Sequence, residues 1–287
     1  MRLKKFLLIE GGNAITSSSR LNQANAPATL DNIFKKVLPL LKLDRKDVEI
    51  LGSILKKVAA SGDIDMAVSI PAILANNKQV VTIEDMYEFV ETKMKEISRE
   101  VVFLRGFGVV SLAFPISNTD GQQKNQFVQL DLMLVDSTDW AKFMYHAPYD
   151  YESKYKGVYR NFLMFSTTAV LSQEVTKEVG GYPVELEKMI IVPARGLEKV
   201  TNITKPGNKT WKTVKREMVS DKPEIIIQKI FGKDVTLRDF NSFESLLSVL
   251  QSPRFPHKDK LDDIYKKTID YLKKSKIAIP EELAEYA

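Results

Sequence analysis

The strongest constraint on the fold comes from one acidic residue, Asp131, which lies inside a largely apolar run from Phe127 to Val135. The composition of this run predicts a β-strand. A lone carboxylate inside such a strand is costly to bury unless another group offsets its charge. The chain must therefore fold so that partners for Asp131, or a cation, come close to it.

A pair of acidic residues can supply that environment. Asp63 and Asp65 belong to the segment Asp63–Val68, in which polar and apolar residues alternate as in a half-buried strand. Because they are two residues apart, both side chains project from one face of the strand. Taken alone, such a pair usually marks a solvated edge. With Asp131 on a neighbouring strand, the three carboxylates would form a cluster of hard oxygen ligands that suits Mg²⁺ with bound phosphate. Two such ions can bind the attacking and leaving oxygens of a phosphoryl displacement.

A Gly-Ser pair precedes the acidic strand. The strand predicted from Val48 runs into Gly52 and Ser53, and a helix is predicted from Ile54. A glycine at such a turn lets the backbone approach a phosphate, and a serine at the helix start offers hydroxyl and amide donors. Lys56 lies one turn further on and would add positive charge there, or it would simply be part of the exposed face of the helix.

These segments together resemble the nucleotidyltransferase superfamily of DNA polymerase β. The signature of that family is a hydrophobic residue followed by Gly-Ser, an Asp-x-Asp pair and a third carboxylate on a later strand. In this chain the corresponding parts, which span residues 48–135, are Leu51-Gly52-Ser53, Asp63-Ile64-Asp65 and Asp131. The resemblance implies that Asp63 and Asp65 bind two Mg²⁺ ions, with Mn²⁺ as a substitute. It implies that Asp131 completes one metal site and activates the acceptor hydroxyl, and that Gly52 and Ser53 hold the triphosphate of an NTP. The whole chain is also similar to nucleotidyltransferase-like proteins of tailed phages.

The same resemblance implies that the incoming nucleotide is held from a second lobe by Lys, Arg and an aromatic residue. Lys156, Tyr159 and Arg160 are the best placed by their order in the chain. These residues fit equally well the start of an amphipathic helix with a solvated arginine.

A basic segment over residues 199–216 contains six cationic residues and no acidic one, together with a Pro-Gly turn. A flexible basic hairpin with an aromatic residue can hold a phosphate backbone and stack a base. The alternative is a solvated loop, which is the usual role of a run of charges. The predicted nucleic-acid contacts are Lys205, Lys209, Trp211, Lys212, Lys215 and Arg216.

Composition excludes several kinds of chemistry. The chain has no Cys, which excludes disulfides, thiolate metal sites and a Cys nucleophile. It has only two His, which argues against His-based zinc sites. The net charge of +5 comes entirely from residues 151–287, because the first 150 residues are balanced. No apolar stretch is long enough to span a bilayer, so we expect a cytoplasmic protein without membrane partners, in the host cytoplasm if it is viral.

The order of the predicted elements favours an α+β fold in two parts. Residues 1–147 are predicted to form a palm-like mixed sheet with flanking helices, and residues 148–287 a mainly helical lobe that binds nucleotide and acceptor. Residues 17–29 are predicted to be a loop or exposed arm. The predicted helices cover residues 30–41, 54–60, 82–100, 158–177, 223–231, 242–250 and 261–274. The predicted strands cover residues 48–51, 63–68, 101–105, 109–114, 127–135 and 186–192.

The sequence therefore predicts a metal-dependent nucleotidyltransferase that moves NMP from an NTP to an acceptor hydroxyl and releases pyrophosphate. The basic second part favours an RNA 3′ end as acceptor, with tRNA as the first candidate. One alternative is another acceptor: a protein side chain, a small molecule or a second nucleotide. A further alternative is an inactive module that binds nucleotide or RNA.

Overall fold

A computed structural model describes residues 14–54, 59–105, 108–145 and 153–287 of the chain. The chain divides into two compact units, Met1–Tyr149 and Asp150–Ala287. Each unit contains both helices and strands, so the fold class is α+β.

The first unit is organised around a mixed five-stranded sheet. The strands of this unit are β1 (Leu21–Asn22), β2 (Val48–Ile50), β3 (Ala60–Ser61), β4 (Asp63–Ser69), β5 (Val101–Leu104), β6 (Val109–Pro115) and β7 (Phe127–Val135). The helices are α1 (Ala26–Leu41), α2 (Ile70–Asn76), α3 (Ile83–Lys95) and α4 (Thr138–Tyr145). The five strands of the sheet follow the spatial order β2-β4-β7-β6-β5. Strands β4 and β7 run parallel to each other, and the other neighbours in the sheet are antiparallel. The two short strands β1 and β3 form a separate antiparallel pair.

The two faces of this sheet differ because side chains alternate along each strand. Ile64, Met66 and Leu132 are fully buried in one core together with apolar residues of α1 and α3. The alternate residues of the same strands, among them Asp65 and Asp131, lie on the opposite face, and α4 packs against β2 and β4. One face of the sheet therefore builds the core and the other carries the carboxylates.

Helix α3 begins where the sequence predicts. Thr82 is its N-cap: the Thr82 hydroxyl accepts a hydrogen bond from the Asp85 amide at 3.1 Å, and the Asp85 carboxylate accepts one from the Thr82 amide at 2.9 Å. This capping box satisfies two amides at the helix start. The helix ends at Lys95, so the predicted extension to residue 100 is wrong.

Two other predictions for the first unit need correction. The segment 17–29 is not an exposed arm, because Leu21 and Ala26 are fully buried and Ala26 already begins α1. These small and apolar side chains fill the edge of the core, which the polar composition of the segment conceals. Of the helix predicted over 54–60, residues 55–58 lie outside the described residues, and Ala60 belongs to strand β3.

The second unit combines a four-stranded antiparallel sheet with helices. The strands are β8 (Glu174–Val179), β9 (Tyr182–Val192), β10 (Gly196–Ile203) and β11 (Lys212–Ser220). The helices are α5 (Gly157–Leu171), α6 (Pro223–Phe231), α7 (Phe243–Gln251) and α8 (Leu261–Ser275). The strands follow the spatial order β11-β10-β9-β8. Helix α5 packs against α7, α8 and strand β9.

The prediction of a mainly helical second lobe missed this sheet. The helix expected over residues 158–177 ends at Leu171, and the chain then forms β8. Gly180 and Gly181 do not close a helix but connect β8 to β9, with φ angles of 59° and 78°. Two successive positive φ angles are typical of a two-residue hairpin turn, which fixes the pairing of the flanking strands.

Candidate active site

The three predicted carboxylates come together on adjacent strands. Strands β4 and β7 are parallel and in register, so that Asp65 lies opposite Asp131 and Asp63 lies opposite Gln129. One carboxylate oxygen from each of Asp63, Asp65 and Asp131 lies within 4.8 Å of the other two. The first two residues are half-buried, and Asp131 is only 1% exposed.

Gly52 lies directly against the carboxylate of Asp65. A Cβ atom at Gly52 would be 2.5 Å from Oδ2 of Asp65, and the φ angle of Gly52 is +70°. The neighbouring amide of Leu51 donates a hydrogen bond to the main-chain oxygen of Asp65 at 2.9 Å. The turn therefore requires glycine for two reasons: its backbone conformation and the space occupied by the carboxylate.

The carboxylate of Asp131 is held by the amide of Gln129. Nε2 of Gln129 donates to Oδ1 and Oδ2 of Asp131 at 3.0 and 2.9 Å. Oε1 of Gln129 accepts hydrogen bonds from the main-chain amides of Ala14 at 3.0 Å and Ile15 at 3.1 Å. Ser111 lies opposite Asp131 on the other neighbouring strand, β6. Gln129 and Ser111 were not predicted, although Gln129 lies two residues before Asp131 and hence on the same strand face.

The negative charges of the three clustered carboxylates repel one another. Burial raises the pKa of Asp65 well above its ordinary value, and the negative charges of Asp63 and Asp131 raise it further. Burial also raises the pKa of Asp131 to about 6, and the charge of Asp63 adds to this rise, while the hydrogen bonds from Gln129 oppose it. The pKa of Tyr145, near the same face, is raised by burial and by the charge of Asp65. A cation between the carboxylates would reverse this unfavourable field.

The predicted phosphate-binding turn has a second serine beside it. Oγ of Ser53 lies 2.7 Å from Oγ of Ser61 in a hydrogen bond, and Gln23 donates to the main-chain oxygen of Ser53 at 3.3 Å. Ser53 is exposed and Ser61 is buried. Lys56 lies outside the described residues.

An arginine that the sequence did not single out approaches the acidic strand. The guanidinium of Arg20 donates to the main-chain oxygen of Ala60 at 2.7 Å, and its Nη1 is 4.0 Å from the Cβ position at Gly62. Arg20 is exposed and adjacent to strand β1, which pairs with β3. Only the strand register reveals this proximity to Gly62, the residue before Asp63.

The predicted nucleotide ligands of the second unit have different environments. Lys156 is exposed at the start of α5. The ring of Tyr159 is half-buried, with its centroid 5.0 Å from that of Tyr155. Arg160 is only 4% exposed, and its Nη1 donates to the main-chain oxygen of Phe240 at 3.1 Å. Burial lowers the pKa of Arg160 to about 10. Arg160 is therefore an interior residue of this unit, not the solvated arginine expected at a helix start, and we do not retain it as a nucleotide ligand.

The basic segment forms the hairpin of β10 and β11, and its cations fall into two groups. Lys199 forms an ion pair with Glu187, Lys215 with Glu217, and Arg216 with the buried Glu198. The second group lies at the tip of the hairpin, is exposed, and takes part in no ion pair within the described residues. It consists of Lys205, Lys209 and Lys212, which we call the tip lysines. Trp211, beside them, is half-buried, and Thr204 donates to the main-chain oxygen of Thr210 at 2.7 Å, which orders the tip.

Comparisons with known proteins do not assign the chain. No protein-family model matches it, and no curated protein matches it significantly. Among the described helices, none has the length and apolar character needed to cross a bilayer. Function must therefore be inferred from the chemistry of the carboxylate cluster and its surroundings.

Proposed function

We propose that the chain is a metal-dependent nucleotidyltransferase that moves NMP from an NTP to an acceptor hydroxyl and releases pyrophosphate. The observation that carries this proposal is the convergence of Asp63, Asp65 and Asp131 from two adjacent parallel strands. A binding module has no need of three carboxylates whose negative charges repel one another at this distance. The mixed sheet and the Gly-Ser turn beside the cluster support a nucleotidyltransferase palm as the fold of the first unit.

The cluster fits a hard divalent cation. All three ligands are carboxylates, which Mg²⁺ and Mn²⁺ prefer. Gly52 leaves the space that the carboxylate of Asp65 occupies. Asp63 and Asp65 would hold two ions, and Asp131 would complete one of the sites. Mg²⁺ held there would stabilise charge on the transferring phosphoryl group and lower the pKa of the attacking hydroxyl.

Side chains and main-chain groups of the protein would accept the proton and bind the triphosphate. Asp131, with a pKa of about 6, is ionised at neutral pH and would accept the proton of the acceptor hydroxyl at a carboxylate oxygen. The hydroxyl and amide of Ser53 would donate to the triphosphate, with Gly52 permitting its close approach. In the second unit, the exposed Lys156 and the ring of Tyr159 are the retained candidates for nucleotide contact.

The proposed acceptor is the 3′ end of an RNA, with tRNA as the first candidate. This part of the proposal is supported by the tip lysines and Trp211, which combine exposed positive charge with an aromatic surface. A flat ring can stack on a base while lysines bind the neighbouring phosphates.

Label transfer tests both parts. The protein is incubated with Mg²⁺, total RNA and each of the four NTPs labelled at the α-phosphate. We expect labelled RNA with at least one NTP. Label in protein or in a small product would instead identify a different acceptor. Absence of label in any product would refute the enzymatic proposal and favour a nucleotide- or RNA-binding module.

A matched pair of variants separates chemistry from folding. The double variant D63A/D65A should abolish transfer, because it removes two of the three carboxylates. The variant D31A removes an exposed carboxylate from helix α1 and should leave transfer unchanged. Unaltered transfer in D63A/D65A would mean that the cluster is not the catalytic centre.

A further inference from the structure

We propose that Gln129 is a positioning residue for Asp131 and that the N-terminal segment Ala14–Ser19 holds Gln129 in its working orientation. This inference rests on the proposed function, because it assigns Asp131 a role as metal ligand and proton acceptor. It concerns how a buried carboxylate is kept in one orientation.

The side-chain amide of Gln129 is engaged at both ends. Its Nε2 lies between the two carboxylate oxygens of Asp131, and its Oε1 accepts from two main-chain amides, those of Ala14 and Ile15. The opposite orientation of the amide would place its oxygen against the carboxylate and its NH₂ group against two N–H donors. Electrostatics therefore permits one orientation only.

The donors that hold Gln129 are themselves anchored. The carboxylate of Glu100 accepts hydrogen bonds from the main-chain amides of Thr16 at 2.6 Å and Ser17 at 3.2 Å. It also accepts hydrogen bonds from the hydroxyl groups of the same two residues. Further along, the amide of Ser19 donates to the main-chain oxygen of Phe127 at 2.7 Å. The segment thus keeps its place on the sheet by contacts that do not involve Gln129.

The burial of the pair makes this arrangement consequential. Gln129 and Asp131 are each 1% exposed, so no solvent shell can replace the donor if it is removed. A donor nearly equidistant from both oxygens fixes the rotation of the carboxylate and leaves the remaining lone pairs for a cation or a proton. Residues that orient metal ligands in this way are typically worth 10- to 100-fold in metal affinity or activity.

The decisive test is a double-mutant cycle with metal affinity as the readout. Binding of Mg²⁺ and of Mn²⁺ is measured by calorimetry, without nucleotide or RNA, in the wild type, Q129L, D131N and Q129L/D131N. We expect Q129L to weaken binding about 10- to 100-fold and to have no further effect in the D131N background. Equal losses in both backgrounds would show a merely structural role and overturn the proposal.

A neighbouring glutamine offers a matched control. Oε1 of Gln126 accepts from the hydroxyl of Ser19 at 3.0 Å and from Nε2 of Gln123 at 3.2 Å, so it tethers the same segment without touching Asp131. The variant Q126L should keep wild-type metal affinity. A loss equal to that of Q129L would attribute the effect to the segment alone and overturn the role of Gln129.

The variant Q129E covers the case in which Q129L does not fold. The introduced side chain would still accept from the amides of Ala14 and Ile15, but it would place a second acidic group against Asp131 in place of the neutral amide donor, and the two buried carboxyl groups would share a proton. We expect a folded protein with at least a tenfold lower kcat at saturating Mg²⁺, by the lower bound for such orienting residues, and wild-type kcat would overturn the proposal. If the cycle shows coupling between Q129L and D131N but the wild type transfers no nucleotide, the proposed function is refuted and the positioning role of Gln129 stands. A wild type that binds neither metal would refute both.

Discussion

The replacement of Gly52 by alanine tests whether the turn before the acidic strand exists to accommodate Asp65. The new Cβ would lie 2.5 Å from Oδ2 of Asp65, whereas ordinary contacts begin near 3.4 Å. The carboxylate must therefore move by about 1 Å. A misplacement of this size at a reacting centre costs about 100-fold in rate.

A second glycine of the first unit provides the control for backbone strain. Gly121 also has a positive φ angle, +77°, but nothing lies within 4 Å of its Cβ position. Both G52A and G121A should lose about 1 kcal/mol in free energy of unfolding, because alanine disfavours a left-handed conformation. Only G52A also displaces the carboxylate.

The assay compares the two variants in urea denaturation, in Mn²⁺ binding and in label transfer. We expect similar losses of stability, with weaker metal binding and about 100-fold slower transfer in G52A alone. Wild-type metal affinity and transfer in G52A would refute the inference that this glycine serves the position of Asp65. Equal functional losses in G121A would attribute the effect to strain.

Three further predictions concern the pH dependence, the hairpin and the cap of α3. Because burial raises the pKa of Asp131 from 3.8 to about 6, ionisation of this one carboxyl group should cost the metal-free protein about 3 kcal/mol of stability as pH rises from about 4 to above 6. In urea titrations, the unfolding free energy of D131N should fall less steeply with pH than that of the wild type. An unchanged slope would contradict the burial of an ionisable carboxyl group at Asp131. Replacement of the tip lysines by glutamine should weaken RNA binding. It should also reduce the slope of log affinity against log salt concentration by about 0.7 for each phosphate that is no longer neutralised. The control is the same replacement at three exposed lysines of α8, namely Lys266, Lys273 and Lys274. It should have little effect on RNA binding, and an equal loss of affinity would mean that net charge alone governs binding. T82A should cost about 1 kcal/mol in unfolding free energy, and no change would mean that the capping box does not stabilise α3.

The acidic site could be predicted because its determinants are local. The spacing of Asp63 and Asp65 fixes their common strand face, and the apolar surroundings of Asp131 require partners for its charge. The close approach of the two strands was predicted through the family resemblance and is present in the structure. Gln129 was not singled out, although its position two residues before Asp131 already placed it on the same strand face.

The second unit was harder to predict because its signals were ambiguous. The helical pattern of α5 runs directly into the strand β8, and the Gly180–Gly181 pair fits both a helix end and a hairpin turn. Tertiary pairing with β9 decides between them. The burial of Arg160 depends on a carbonyl 80 residues away, at Phe240, which no local pattern reveals.

The reaction class is tested most directly by the fate of two labels in one experiment. The same NTP is supplied with label at the α-phosphate or at the γ-phosphate, together with Mg²⁺ and RNA, to the wild type and to D65N. We predict that the wild type transfers the α-label to RNA and releases the γ-label as pyrophosphate, and that D65N does neither. Transfer of the γ-label to an acceptor, or equal transfer by D65N, would contradict a nucleotidyltransferase centred on Asp63, Asp65 and Asp131.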